Sequence, residues 1–278
     1  TIEVYPVYTD EQGNQTQGPK LDLVNDGVNP DFSNISADGK YRVLLSNLAQ
    51  PTDVFDLKIT NVNLDIDYIV DPWACGDTLT DTRDSKTYTT VLIGAQCWMR
   101  QSMNVGTLTA GANTQGTNCP SASEIEKYCY ADNEANCTTY GGLYQWDQAM
   151  CGSTTAGAIG ICPTGWHIPT HDEFTTLELA ICTSGSCATD FPYDTTTIGY
   201  RGTNEGTALM TVSASTFSAL LGGQRSTTGT FSNVDYYTYF WSSLQYDASN
   251  AWSRYTASDQ TQIRRQSSTK TRGYSIRC

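Results

Sequence analysis

The chain has 278 residues, a formal net charge of −13 and a sequence pI of about 4.4, a balance that argues against nucleic acid and anionic membranes as partners. Only 16% of residues are charged, whereas Thr, Ser, Gly, Asn and Tyr abound, as suits short strands and loops rather than long amphipathic helices. No apolar run approaches the roughly 18 residues of a membrane-spanning helix, and the absence of an initiator Met and of a leader suggests a mature exported product.

The first 72 residues read as strands. In "TIEVYPVY", Ile2, Val4, Pro6 and Tyr8 alternate with Glu3, Tyr5 and Val7; "KLDLV" and "KYRVLLSNL" follow, separated by Gly, Asn, Asp and Pro. In "FDLKITNVNLDIDYIV" the alternation changes phase near Thr60–Asn61, the sequence mark of a β-bulge or bend. Asp65 and Asp67 share one face of that run and read as a solvated face. Four or five strands are fewer than the roughly seven of an immunoglobulin-like sandwich. Two readings stay open: a small Ig-like β-sandwich with weakly marked strands, or one completed by a neighbour's strand.

From residue 73 the pattern changes. All ten cysteines lie between Cys75 and Cys278, and none forms a CxxC pair, so disulfides in an oxidising, extracellular compartment are expected in place of zinc or a thioredoxin-like site. Sequons at Asn14, Asn34 and Asn136 fit export but arise readily in a Thr-rich chain. A hairpin is expected to turn near Asp84–Ser85.

The stretch "GICPTGWHIPTHDEF" gathers Cys162, both histidines (His167 and His171), Asp172 and Glu173. It resembles a metal site, but Thr170-x-x-Glu173 is also a capping box, and acids belong in a first helical turn. Phe174, Leu177 and Ile181 then form an apolar stripe for a helix of about three turns. Pro169 keeps His167 extended and outside that helix, so no HxxxH zinc pair forms. Trp166 and His167 are expected to pack beneath the domain and His171 to point into solvent. No metal site and no catalytic residue is assigned.

"CGDTLTDTRDSKTYTTVLIGAQCWM", "KYCYADNEANCTTYGGLYQWDQAM", "GICPTGWHIPTHDEFTTLE", "FSALLGGQRSTTGTF", "YFWSS", "NAWSRY" and "RGYSIRC" occur in this order. Together they resemble the Fibrobacter succinogenes major paralogous domain, a bacterial extracellular family, over 75–278 but not over 1–72. That family in turn resembles the C-type-lectin-like fold of formylglycine-generating enzymes. "HIPTHDEFTTLE" is similar to their R-L-P-T-E-A-E-W-E helix start, and "RGYSIRC" to their terminal G-F-R strand. The resemblance implies a loop-rich α+β domain for display and binding, in which some relatives vary a C-terminal segment to bind diverse ligands, and it implies no enzyme activity. The resemblance, and not the loop's composition, leaves calcium open as a cofactor at loops such as "DNEAN", Asp132–Asn136; no other cofactor is indicated. The fold class expected is therefore mainly β: an N-terminal Ig-like sandwich (1–72) and an α+β, disulfide-rich C-type-lectin-like domain (73–278).

Sequence proximity and this resemblance together suggest the pairs Cys182–Cys187, Cys129–Cys137, Cys75–Cys97 and Cys162–Cys278, leaving Cys119–Cys151; full pairing is the firmer expectation. Paired cysteines would leave no thiol nucleophile, and no G-x-S-x-G elbow is present. Calcium-lectin E-P-N and W-N-D signatures are absent as well. The segment 242–273 sets aromatics and arginines among small polar residues, the composition of a recognition surface. Its candidate ligand-binding residues are Tyr246, Arg254, Tyr255, Arg264, Arg265, Gln266 and Lys270, with Trp241 and Trp252 assigned to the core.

Residues 1–72 carry 12 acids and 4 bases, whereas 254–278 carry 6 bases and one acid. Opposite ends of opposite sign suit head-to-tail contact, and Thr1–Tyr8 reads as a detachable strand. The leading expectation is a non-enzymatic, extracellular cell-surface protein: a structural subunit of a pilus-like filament, homo-oligomeric by head-to-tail contact or strand addition. The alternative is a solitary adhesin or receptor taking protein or glycan ligands through 242–273.

Overall fold

The computed structural model describes residues 2–9, 15–17, 40–45, 74–119, 121–183, 185–212 and 216–278. The chain divides into two compact units, Thr1–Ala74 and Cys75–Cys278. The expected strands at 20–24 and 55–70, the phase change at 60–61, Asp65, Asp67, Asn14 and Asn34 lie outside the described residues.

In the first unit, β1 (Ile2–Thr9), β2 (Gln15–Gln17) and β3 (Lys40–Leu45) form an antiparallel sheet in the order β2-β1-β3. Register places Ile2, Val4 and Pro6 opposite Leu45, Val43 and Tyr41. Pro6, which has no N–H to give, falls just before the β2 ladder begins at Val7↔Gln17. Contrary to the expectation of a detachable strand, β1 is a middle strand, paired on both sides within its own chain.

The second unit is mainly β. It opens with an antiparallel sheet of β4 (Thr78–Thr80), β5 (Thr87–Ile93) and β6 (Gln96–Met99). The β4–β5 turn is held by Asp81, whose carboxylate accepts from the Arg83 backbone N–H and pairs with its guanidinium at 2.7 Å; Ser85 takes the left-handed conformation there. Cys75–Cys97 joins the start of this sheet to β6, one strand beyond the hairpin the sequence suggested. Next come the short parallel pair β7 (Thr107–Leu108) and β8 (Glu126–Lys127), then helices α1 (Glu134–Tyr140) and α2 (Trp146–Ala149).

Helix α3 (His171–Ile181) begins with the capping box: Thr170 Oγ1 accepts from the Glu173 N–H, and Glu173 Oε2 accepts from the Thr170 N–H. After it come α4 (Cys187–Asp190), β9 (Gly199–Arg201), α5 (Glu205–Met210), β10 (Gly222–Arg225), β11 (Phe231–Val234), β12 (Tyr237–Gln245), β13 (Asn250–Ala257) and β14 (Gln260–Thr269). The last four strands with β9 and β10 make one six-stranded sheet, β11-β10-β12-β13-β14-β9, antiparallel except for β10–β12. Gly206 lets α5 lie against this sheet, because a Cβ there would come within 2.4 Å of the Gln262 carbonyl.

Strand alternation divides the core. On β12, Trp241 belongs to a cluster with Trp146, Tyr274, Ile276 and Met99, while its neighbour Phe240 packs with Trp98, Phe174, Leu177 and Phe217 on the opposite face. Trp166 joins the first cluster. The terminal segment is threaded into the middle: Gly273 bridges Arg225, Tyr274 bridges Tyr144, Ser275 bridges Phe240, and Cys278 accepts from the Met99 N–H. Arg277 is fully buried, donates to the carbonyls of Met99, Arg100 and Phe217, and lies 4.3 Å above the Phe217 ring; burial lowers its pKa to about 9. All ten cysteines are joined as Cys75–Cys97, Cys119–Cys151, Cys129–Cys137, Cys162–Cys278 and Cys182–Cys187. Among the described residues no helix is long and apolar enough to cross a membrane.

Candidate functional site

The six-stranded sheet is covered on one face by α3 and α5. The other face carries the Trp146–Trp241 cluster, to which Tyr239, Tyr255 and Tyr274 also belong. These three tyrosines, with further side chains of β12, β13 and β14, line a cleft of about 540 Å³. Tyr237 and Tyr239 from β12, Tyr255 from β13, Arg264 and Gln266 from β14, and Arg272 beyond it face one another across it. Period two selects these residues: Tyr255 stands directly opposite Arg264, and Gln266 opposite Ser253.

The floor is aromatic and ordered. Tyr239 stacks on Tyr274 at 4.7 Å and 12°, Tyr237 stacks beside Tyr239 at 6.0 Å and 18°, and Tyr255 meets both at angles, 5.2 Å from Tyr239 and 5.7 Å from Tyr237. The Tyr255 hydroxyl lies 2.9 Å from that of Tyr200. Burial pushes Tyr239 up to about 12 and raises Tyr255 as well, so both stay neutral phenols near pH 7. Arg264 lies against two tyrosines, 5.1 Å from the Tyr200 ring centre and 5.7 Å from that of Tyr255. Arg272 donates to Gln224 Oε1 at 2.9 Å, and Gln266 donates to Ser268 Oγ at 3.0 Å. No acidic side chain is among the described residues lining the cleft.

Of the residues singled out from sequence, Tyr255, Arg264 and Gln266 meet here. The other four do not. Tyr246 is 47% exposed, but it lies in the β12–β13 turn with its ring against Trp252. Lys270 is buried, its ammonium 4.3 Å above the Trp146 ring and bonded to Gln245 Oε1. Arg254 and Arg265 point to the helix-covered face and are 2% and 0% exposed. There Glu178 of α3 receives both: Oε1 from Arg254 Nε at 2.5 Å, Oε2 from Arg265 Nη2 at 2.8 Å and from its Nε at 3.2 Å. These two are internal struts, not a recognition surface.

His171 is likewise not in solvent. It is 1% exposed, packs edge-on against Trp252 at 4.6 Å, and places Nδ1 3.4 Å from Arg254 Nη1. Burial first, and the neighbouring Arg254 second, lower its pKa to about 3, so it is neutral. It shares with Thr175 and Glu178 a polar stripe beside the apolar one, which turns α3's second face inward. His167 takes a different partner, Glu173 Oε1 at 2.8 Å, which raises its pKa.

The acidic loop is occupied by internal bonds. Asp132 accepts from Gly111 N–H, Asn133 caps α1, Glu134 pairs with Lys127 at 2.6 Å, and the Asn136 amide donates to the Tyr130 carbonyl. Among the described residues the only close trio of metal-ligand side chains is Cys129, Glu134 and Cys137, and its two sulfurs are bonded to each other.

Sequence reasoning missed Tyr237, Tyr239, Tyr274 and Arg272. The signal for the first two was present in "YTYFW", where alternate aromatics share a face with Trp241. Fold and cleft together define a mainly β, disulfide-stapled domain presenting an aromatic, cationic recess on its six-stranded sheet. The chain belongs to the Fibrobacter succinogenes major domain family, whose model matches residues 91–278. No curated protein and no solved structure matches it.

Proposed function

We propose that this protein is a non-enzymatic, extracellular surface protein that recognises a ligand through the cleft of its second unit. In this reading residues 73–278 are a C-type-lectin-like binding domain, and the N-terminal unit, an Ig-like β domain, anchors it. The observation that carries the reading is the cleft itself. It is an open recess lined by tyrosine, arginine and amide side chains, the side-chain types that supply rigid contact area and adaptable hydrogen bonds at recognition surfaces. Support for an extracellular setting comes from five disulfides. Support for binding over catalysis comes from the sulfurs, which leave no thiol, and from a neutral, enclosed His171.

Assembly into a filament is the second reading, favoured by the acidic excess of residues 1–72. Four of the six C-terminal cations (Arg254, Arg265, Lys270 and Arg277) are buried, however, which leaves little basic surface there for head-to-tail contact. Arrays of glycans and proteins probed with the wild-type chain and with Tyr237→Ala test the binding reading: selective hits lost in the variant support it, and hits that persist undiminished refute the cleft as the site. Negative-stain imaging tests assembly, since filaments at raised concentration support it and monodisperse particles count against it.

A further inference from the structure

The chemistry of the recess says more than that something binds. The chain carries a net charge of −13, yet the described residues lining the cleft include two arginines and no carboxylate. Neither Arg264 nor Arg272 makes an ion pair among the described residues, whereas Arg83, Arg254 and Arg265 each do. Arg264 is held in place by ring faces rather than by an anion. A guanidinium held in orientation on a cleft wall without a counter-charge fits a planar oxyanion that accepts from two N–H groups at once.

Around this charge the groups are of two kinds. Tyrosine rings offer flat apolar faces with hydroxyl tips. Gln266, Ser267 and Thr269 offer side chains that donate and accept together. A sugar ring needs both, because its C–H faces are apolar and its neighbouring hydroxyls each donate and accept. A peptide fits less well. It binds sheets by adding a strand to a free edge, whereas Tyr237, Tyr239 and Tyr255 line the recess from β12 and β13, which are each paired on both sides. We infer, building on the binding reading above, that the cleft takes a carboxylate-bearing saccharide: a pyranose ring laid on the tyrosines, with its carboxylate received by Arg264 and Arg272.

The test is calorimetric titration of the full, oxidised chain with two acidic sugars, oligogalacturonate and sialyllactose, to separate uronic from sialic sources. The neutral counterparts, galactose oligomers and lactose, and a polyglutamate peptide are titrated in parallel. The expected result is tighter binding of at least one acidic sugar than of its neutral counterpart by roughly tenfold or more, weakening as salt is raised. Arg264→Gln should then lose roughly ten- to a hundredfold in affinity for that sugar. The salt series on wild-type protein keeps the test valid should the variant fold poorly. Equal affinity for acidic and neutral sugars would overturn the inference but leave the cleft a binding site. Binding of polyglutamate alone would also overturn it. No binding of any probe, with array hits unaffected by Tyr237→Ala, would overturn both the inference and the reading it rests on.

Discussion

Glu178 is the residue on which the sheet's buried face depends, and its replacement by Gln is the sharpest perturbation available. The carboxylate is 1% exposed and receives three N–H bonds from Arg254 and Arg265, which are themselves enclosed. Other acceptors are neutral: the His171 carbonyl, the Pro192 carbonyl and Thr175 Oγ1. Gln keeps the shape but removes the charge and turns one acceptor into a donor facing a guanidinium. Two cations would then sit in the interior without a counter-charge. Removing one partner of a buried pair costs about 3–5 kcal/mol, and in a unit of about 200 residues this lowers Tm by roughly 6–20 °C. Differential scanning calorimetry at pH 7 without reductant measures it. Replacing all three residues by apolar ones, Glu178→Leu with Arg254→Met and Arg265→Met, should recover most of the loss, because the cost lies in the unpaired charge. A Glu178→Gln variant melting within about 2 °C of wild type would refute the reasoning. Arg254 and Arg265 are cross-strand partners next to the Tyr255–Arg264 pair, so the same triad fixes which residues of β13 and β14 face the cleft.

Acid should destabilise the domain through His171. Its folded pKa of about 3 lies below the ordinary 6.5, so below pH 6.5 only the unfolded chain takes the proton, and stability falls as pH falls. Between pH 6.5 and 4.5 the loss is about 2–3 kcal/mol, read from urea midpoints; a flat profile would contradict it, and His171→Gln should flatten it. The half-buried His167 acts in the opposite sense, its contribution present below 6.5 and lost as pH rises through its raised pKa, but solvent keeps that effect small. Replacing Cys162 and Cys278 by Ala opens a loop of sequence separation 116 and should cost about 4–5 kcal/mol in denaturant titrations, against about 2 kcal/mol for Cys182 and Cys187; equal costs would show that loop length is not what matters. Gly206→Ala pushes a methyl to 2.4 Å from the Gln262 carbonyl and should lower stability by about 1–3 kcal/mol; an unchanged urea midpoint would show that α5 shifts freely.

What could be read directly was local. The capping box of α3 depends on Thr170 and Glu173 alone, three residues apart, and it forms as their spacing implies. Trp241 and Trp252 are core because they fall on alternating strands. What could not be read was long-range pairing. Arg264 and Arg265 are adjacent and chemically identical, and one lines a cleft while the other is a strut. Only the register of β14 and the presence of Glu178, 87 residues earlier, tell them apart. His171 looked solvent-facing because a first-turn residue usually is, and no local rule says that Arg254 and Trp252 close over it. In the first unit the register of β1 with β3 follows the alternation of "TIEVYPVY", but its position between two partners does not.

The most direct measurement of the central claim is hydrogen–deuterium exchange of the oxidised chain with and without a ligand taken from the arrays. Peptides covering 233–239 and 255–272 should gain protection while the β12–β13 turn at Tyr246 and the strands β1 to β3 stay unchanged. Protection confined to those other segments, with none at Tyr237, Tyr255 and Arg264, would contradict the account.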